Sequence, residues 1–200
     1  MVEFIKKFKD KVPYDRKQYR DFFNDDTDPS IKWYGMSFQL PGGFEGNEVN
    51  FKEYLETYEP WFKQVVLKLD NGSSWIVSHE GKGLKWFPYG GDSLTHLRGL
   101  FKQNNVPNTF KGALIFSLND LLAFSRDLIS YPYAAASKVG ALYRDLDISH
   151  GEFPVVIKIS GHLNIDILST DKEMLKELVR ENSLSFFVLK AYNGTSLLEL

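Results

Sequence analysis

There is no cysteine in the 200 residues, which excludes disulfides, thiolate nucleophiles and cysteine-held zinc together. No apolar run approaches the roughly 20 residues of a membrane span, and Met1 to Phe8 lack the apolar centre of a secretion signal. A cytoplasmic protein is expected on these grounds. An excess of charge is also missing. With 24 Lys and Arg against 26 Asp and Glu, the net charge of −2 gives no general attraction to phosphate backbones. General nucleic-acid binding is therefore not expected, although a local basic patch is compatible with this balance. The chain has no Gly-x-Ser-x-Gly, no Walker sequence and no Gly-x-Gly-x-x-Gly after a strand, so no nucleophile or phosphate-loop chemistry announces itself.

What is plentiful is aromatic rings, at 15% of residues, which suit a large core or a recognition surface. The length fits a single domain over 1–200, with 1–30 as a helical N-terminal arm. In that arm Phe4, Ile5, Phe8 and Val12 fall at helical spacing among Lys6, Lys7, Lys9 and Lys11, and Tyr19, Phe22 and Phe23 follow. Docking of this basic stripe on the domain's own core is preferred to a membrane surface. Asp25, Asp26 and Asp28 read as a solvated turn rather than a cation site.

The fold class expected is α+β: a mixed, mainly antiparallel sheet built from hairpins at about 65–78 and 155–168, with helices packed against it. The first hairpin rests on Asn71-Gly72, a dipeptide suited to a type I′ turn, between Val65–Leu69 and Trp75–Val77. The second rests on Val155-Ile157-Ile159 and Leu163-Ile165-Ile167, which share a face if Ser160-Gly161-His162 is the loop. Asn50 with Glu53 and Thr170 with Glu173 have capping-box spacing; the first helix should end near Pro60. Further strands are expected at 31–38, 84–87, 111–116 and 186–192, and those at 111–116 and 186–192, each next to a helix in sequence, are the candidates for parallel pairing. Val66-Leu67-Lys68 before Asn71-Gly72 recurs as Val188-Leu189-Lys190 before Asn193-Gly194, which raises the alternatives of a duplicated helix-hairpin unit and of independent turn chemistry.

Few residues carry obvious chemistry. His79, Glu80, His150, Glu152 and His162 could converge on a metal for a hydrolase, but their spacing matches no ligand motif, and neither a metal nor another cofactor is expected. Asp70 or Asp166 with Glu152 could serve a nuclease beside a lysine; Lys158 with Asp166 is better read as a cross-strand ion pair. No catalytic residue is assigned. The nominated binding surface is the glycine-rich loop from His79 to Asp92, with Lys82, Lys85, Trp86 and Tyr89 as contacts, the alternative being that Trp86 belongs to the core. Small, cysteine-free, mildly acidic, aromatic-rich chains of this kind resemble, in composition only, immunity proteins. The expected function is a non-catalytic intracellular protein-interaction module of inhibitor or immunity type, its partner another protein.

Overall fold

A computed structural model of the chain describes residues 2–24, 32–42, 49–79, 83–87, 92–135 and 145–192. Eight strands form one sheet: β1 Glu3–Ile5, β2 Tyr34–Gln39, β3 Trp75–His79, β4 Ala113–Phe116, β5 Leu146–His150, β6 Val155–Ile159, β7 Ile165–Ser169 and β8 Val188–Ala191. Their order across the sheet is β1-β4-β3-β5-β6-β7-β2-β8, and every pairing is antiparallel. The helices are α1 Arg16–Asn24, α2 Phe51–Leu69, α3 Thr95–Gln103, α4 Leu118–Ala134 and α5 Lys172–Asn182. The chain is thus α+β, but the sheet is antiparallel throughout rather than mixed, because β4 and β8 pair only with strands that run against them.

Alternation along the strands divides the molecule into layers. Met36, Phe38, Trp75, Val77, Leu114, Phe116, Ile148 and Ile157 point to one face and join α2 to α5 in the main core. The opposite face carries Ile76, Ala113, Val156 and Leu168, and the segment through α1 covers much of it with Val12, Tyr19 and Phe22.

The hairpin expected at 65–78 is not formed, since Val65–Leu69 are the last turns of α2. Tyr54, Leu55, Tyr58, Trp61, Phe62, Val65, Val66 and Leu69 are buried at three- and four-residue intervals that run straight through Pro60. Val65 and Val66 share one helical stripe, whereas a strand would turn them to opposite faces. The Asn-Gly turn does exist: Gly72 has φ +85°, but it joins a helix to β3. Val66–Lys68 is consequently helical where Val188–Lys190 is a strand, so the internal resemblance is not a structural repeat there.

The hairpin expected at 155–168 is present, with Ile157 opposite Ile167 and Ile159 opposite Ile165. Its tight end is closed by Ser160 N–H donating to the Asn164 carbonyl at 3.0 Å, so the three-residue loop is Gly161–Leu163, one position later than expected. The left-handed third position of the loop is filled by Leu163 at φ 61°. No strand forms among residues 84–87. Residues 3–5, read as helix, pair with β4, because Phe4 reaches the main core while Ile5 turns to the opposite face.

Helix α5 is capped by Asp171, whose Oδ1 accepts from Glu173 N–H and Met174 N–H at 3.0 Å each, rather than by Thr170. Asp171→Ala should lower unfolding stability by about 1 kcal/mol. Thr170→Ala should cost a few tenths at most. Equal losses in urea titrations would refute this placement of the cap.

Candidate functional site

The histidines and acids considered for a hydrolase are not assembled. Antiparallel pairing sets Trp75 opposite His150 and His79 opposite Leu146, so His79 and His150 lie at opposite ends of adjacent strands. His162 sits in the β6–β7 loop, away from the end that holds His150 and Glu152. Glu80 lies outside the described residues. His150 is a buried structural side chain whose Nδ1 accepts from Glu152 N–H and Phe153 N–H at 3.0 and 2.9 Å. Burial holds its pKa below the usual imidazole value, with the Glu152 charge opposing.

A polar cluster lies on the sheet face beneath α1. Tyr19 Oη donates to Asp147 Oδ1 at 2.7 Å, and Tyr14 Oη lies 2.7 Å from Ser149 Oγ. Lys158, opposite Asp166 as expected, forms its ion pair with Asp145 at 3.1 Å, and its ammonium sits 4.5 Å from the Phe23 ring centre. Asp166 receives Tyr192 Oη at 2.7 Å and Asn164 Nδ2 at 2.6 Å. Gly35 makes that arrangement possible, since a Cβ there would stand 2.7 Å from the Tyr192 ring. Burial raises the Asp166 pKa, while hydrogen bonds from Ser37 and Tyr192 and the Lys158 charge pull it down. Asp147, Lys158 and Asp166 are buried, and these groups are held by tyrosine and asparagine hydrogen bonds and by one ion pair to Asp145.

The open site lies elsewhere, in a hollow of about 600 Å³ beside the β1 edge of the sheet. The turn after β1 contributes Lys6, Lys7 and Lys9, and α1 contributes Arg16, Lys17 and Arg20. Lys111, just before β4, completes seven cations among the described lining residues, with Asp10 as the carboxylate among them. The sequence places them through two local signals. Pro13 ends the first segment, and Asp15 starts α1 by accepting from Lys17 N–H at 2.6 Å and Gln18 N–H at 3.4 Å. Those two bonds, with Lys9 and Lys17 nearby, hold the Asp15 carboxyl below its usual pKa.

The Arg16 guanidinium lies over the Phe8 ring at 4.2 Å from its centre. Its Nε is shielded from solvent and has no hydrogen-bond partner among the described residues. Lys6, Lys7, Lys9, Lys17 and Lys111 make no ion pair with described residues. Gathering this many cations beside few described carboxylates favours a negatively charged ligand in a concave wall.

Of the nominated loop, His79 at the end of β3 and Gly83 with Leu84 line this hollow. Lys85 follows and is exposed. Trp86 is wholly buried, its Nε1 donating to the Gly112 carbonyl at 3.0 Å while its own carbonyl accepts from Tyr131 Oη. It is a core residue, not the exposed anchor nominated from the sequence. Lys82 and Tyr89 lie outside the described residues.

Lys6, Lys7 and Lys9 stand out in the sequence as part of the basic stripe of a helical arm, whereas Arg16, Lys17 and Arg20 carry no such signal. Their convergence with Lys111 depends on β1 pairing with β4, a contact more than a hundred residues apart that no local pattern signals. Comparison with known protein families, with curated proteins and with solved structures finds no match.

Proposed function

We propose that the chain is an intracellular, non-catalytic interaction module, of inhibitor or immunity type, that holds an acidic segment of a partner protein in the basic hollow. The observation that carries this reading is the segregation of charge: in a chain of net charge −2, the described residues around this concavity include seven cations and one carboxylate. Such a surface steers an acidic partner into register and rejects basic ones. The adjoining loop supports it, since Gly83 and Leu84 extend the hollow toward exposed Lys85. The absence of cysteine is compatible with a reducing compartment. The pairing of Lys158 with Asp145 and of Asp166 with Tyr192 and Asn164 supports a binding role over a hydrolytic one.

The test uses a fluorescein-labelled oligoglutamate peptide as the probe. The chain should bind it at low salt and release it as salt screens the charges. Lys6→Glu/Lys7→Glu/Lys9→Glu, three exposed positions, should weaken binding by about tenfold or more, equivalent to about 1.4 kcal/mol, with an unchanged far-UV spectrum. No binding by the native chain, or equal binding by the folded variant, would refute the reading.

A further inference from the structure

We propose that the hollow is also a receptor for a small, soluble polyphosphate, and that such a ligand competes there with the acidic partner. The inference rests on the reading that this concavity is a binding surface and adds the chemistry of a regulator. Three observations carry it. The first is size: about 600 Å³ falls within the roughly 300–1,000 Å³ of small-molecule sites.

The second is the state of the arginines. Arg16 is laid over Phe8 with its Nε unpartnered, and Arg20 Nε is turned back to the Arg16 carbonyl at 3.2 Å. Neither guanidinium forms an ion pair with a described carboxylate. A guanidinium fixed on a ring is a fork already ordered for phosphate oxygens, so little side-chain freedom is lost when a ligand binds. The third is charge density. Oligoglutamate carries one charge per residue along its length, but a triphosphate concentrates its charge in a few ångströms. It therefore offers the lining cations several charges at one point in the hollow.

The experiment is isothermal titration of the full chain at low salt with inorganic tripolyphosphate and with ATP, both without magnesium. Sulfate at matched ionic strength is the comparator. Tripolyphosphate should bind with a dissociation constant at least about tenfold below that of sulfate. It should also displace the labelled oligoglutamate. Equal affinity for ATP assigns recognition to the phosphates, and a tenfold preference for ATP adds a contact to the base; both uphold the proposal.

Arg16→Gln/Arg20→Gln should weaken tripolyphosphate about tenfold or more. Because Arg16 packs on Phe8, that pair is checked by circular dichroism, and the exposed pair Lys17→Gln/Lys111→Gln decides the matter if it fails to fold. Tripolyphosphate no better than sulfate, or unchanged affinity in a folded pair, overturns the proposal. Oligoglutamate binding without tripolyphosphate binding would defeat this inference and leave the interaction module standing. The reverse result would defeat the acidic-partner reading and leave a polyphosphate-binding protein.

Discussion

Trp61→Ala should lower the free energy of unfolding by about 3–5 kcal/mol, the range for deleting a large buried ring. Trp61 is 1% exposed and sits on α2 where the apolar stripe passes Pro60. Its ring centre lies 4.7 Å from that of Phe38 on β2 and 5.5 Å from that of Phe187 before β8, so one indole ties helix to sheet edge. Its Nε1 also donates to the Asn182 carbonyl at the end of α5, at 2.8 Å, and truncation leaves that buried acceptor unpaired. Set against a total stability of about 5–15 kcal/mol, the loss should bring the chain close to unfolding at 37 °C. Trp61→Phe, which keeps most of the volume, should cost clearly less. Guanidinium titrations showing a loss below about 1 kcal/mol for the alanine variant would mean that α2 does not pack as described.

Lys158→Met should have an effect of the same order, about 3–5 kcal/mol near neutral pH, because it removes one partner from a buried set of charges. Lys158 is 5% exposed and Asp166 1% exposed on facing strands, with Asp145 at 3.1 Å from the ammonium. Methionine fills a similar volume, so the loss should come from stranded carboxylates rather than from a cavity. The pH dependence follows from the direction of the Asp166 shift. A carboxyl whose pKa is raised by folding holds its proton more tightly in the folded chain. Its unfavourable charge is therefore absent below the ordinary value of 3.8 and develops as pH rises through the folded value. Without Lys158 the folded value rises further, and the deficit of the variant should shrink as pH is lowered toward 4. Adding Asp166→Asn to Lys158→Met should recover part of the loss at neutral pH. A deficit independent of pH, or strictly additive double-variant energies, would contradict this coupling.

How far the sequence reveals this molecule depends on the range over which each feature is decided. The β6–β7 hairpin is legible because Val155, Ile157, Ile159, Ile165 and Ile167 alternate and are buried together. The position of its loop is not, because Leu163 accepts the left-handed conformation that the rule reserves for glycine. The end of α2 is misread for the opposite reason. Val65 and Val66 favour strands locally, yet tertiary packing of the stripe from Tyr54 to Leu69 overrides that preference. The caps at Asn50 and Asp171 depend on side chains next to the helices they start, so helix onsets there were within reach to a residue. Trp86 illustrates the remaining difficulty. An aromatic residue beside glycines fits a recognition loop, and only the distant Gly112 carbonyl and the Tyr131 hydroxyl make it a core residue. The site is decided at long range almost entirely, through the β1–β4 pairing that carries Lys6 and Lys7 toward Lys111.

The order of strands also sets a timetable for the chain as it leaves the ribosome. β2 is the second strand made, but its neighbours in the sheet are β7 and β8, with Met36 opposite Ile167 and Ala191. At roughly 5–20 residues per second, β2 waits on the order of 6–25 seconds for the first of them. Met36 and Phe38, which end wholly buried, lack their strand partners throughout that interval, with only α2 to pack against Phe38. β3, β4 and β5 are neighbours and can pair as soon as each emerges, so the sheet should grow from that side and close last around β2. A nascent chain stalled before residue 165 should then be the species most in need of a chaperone.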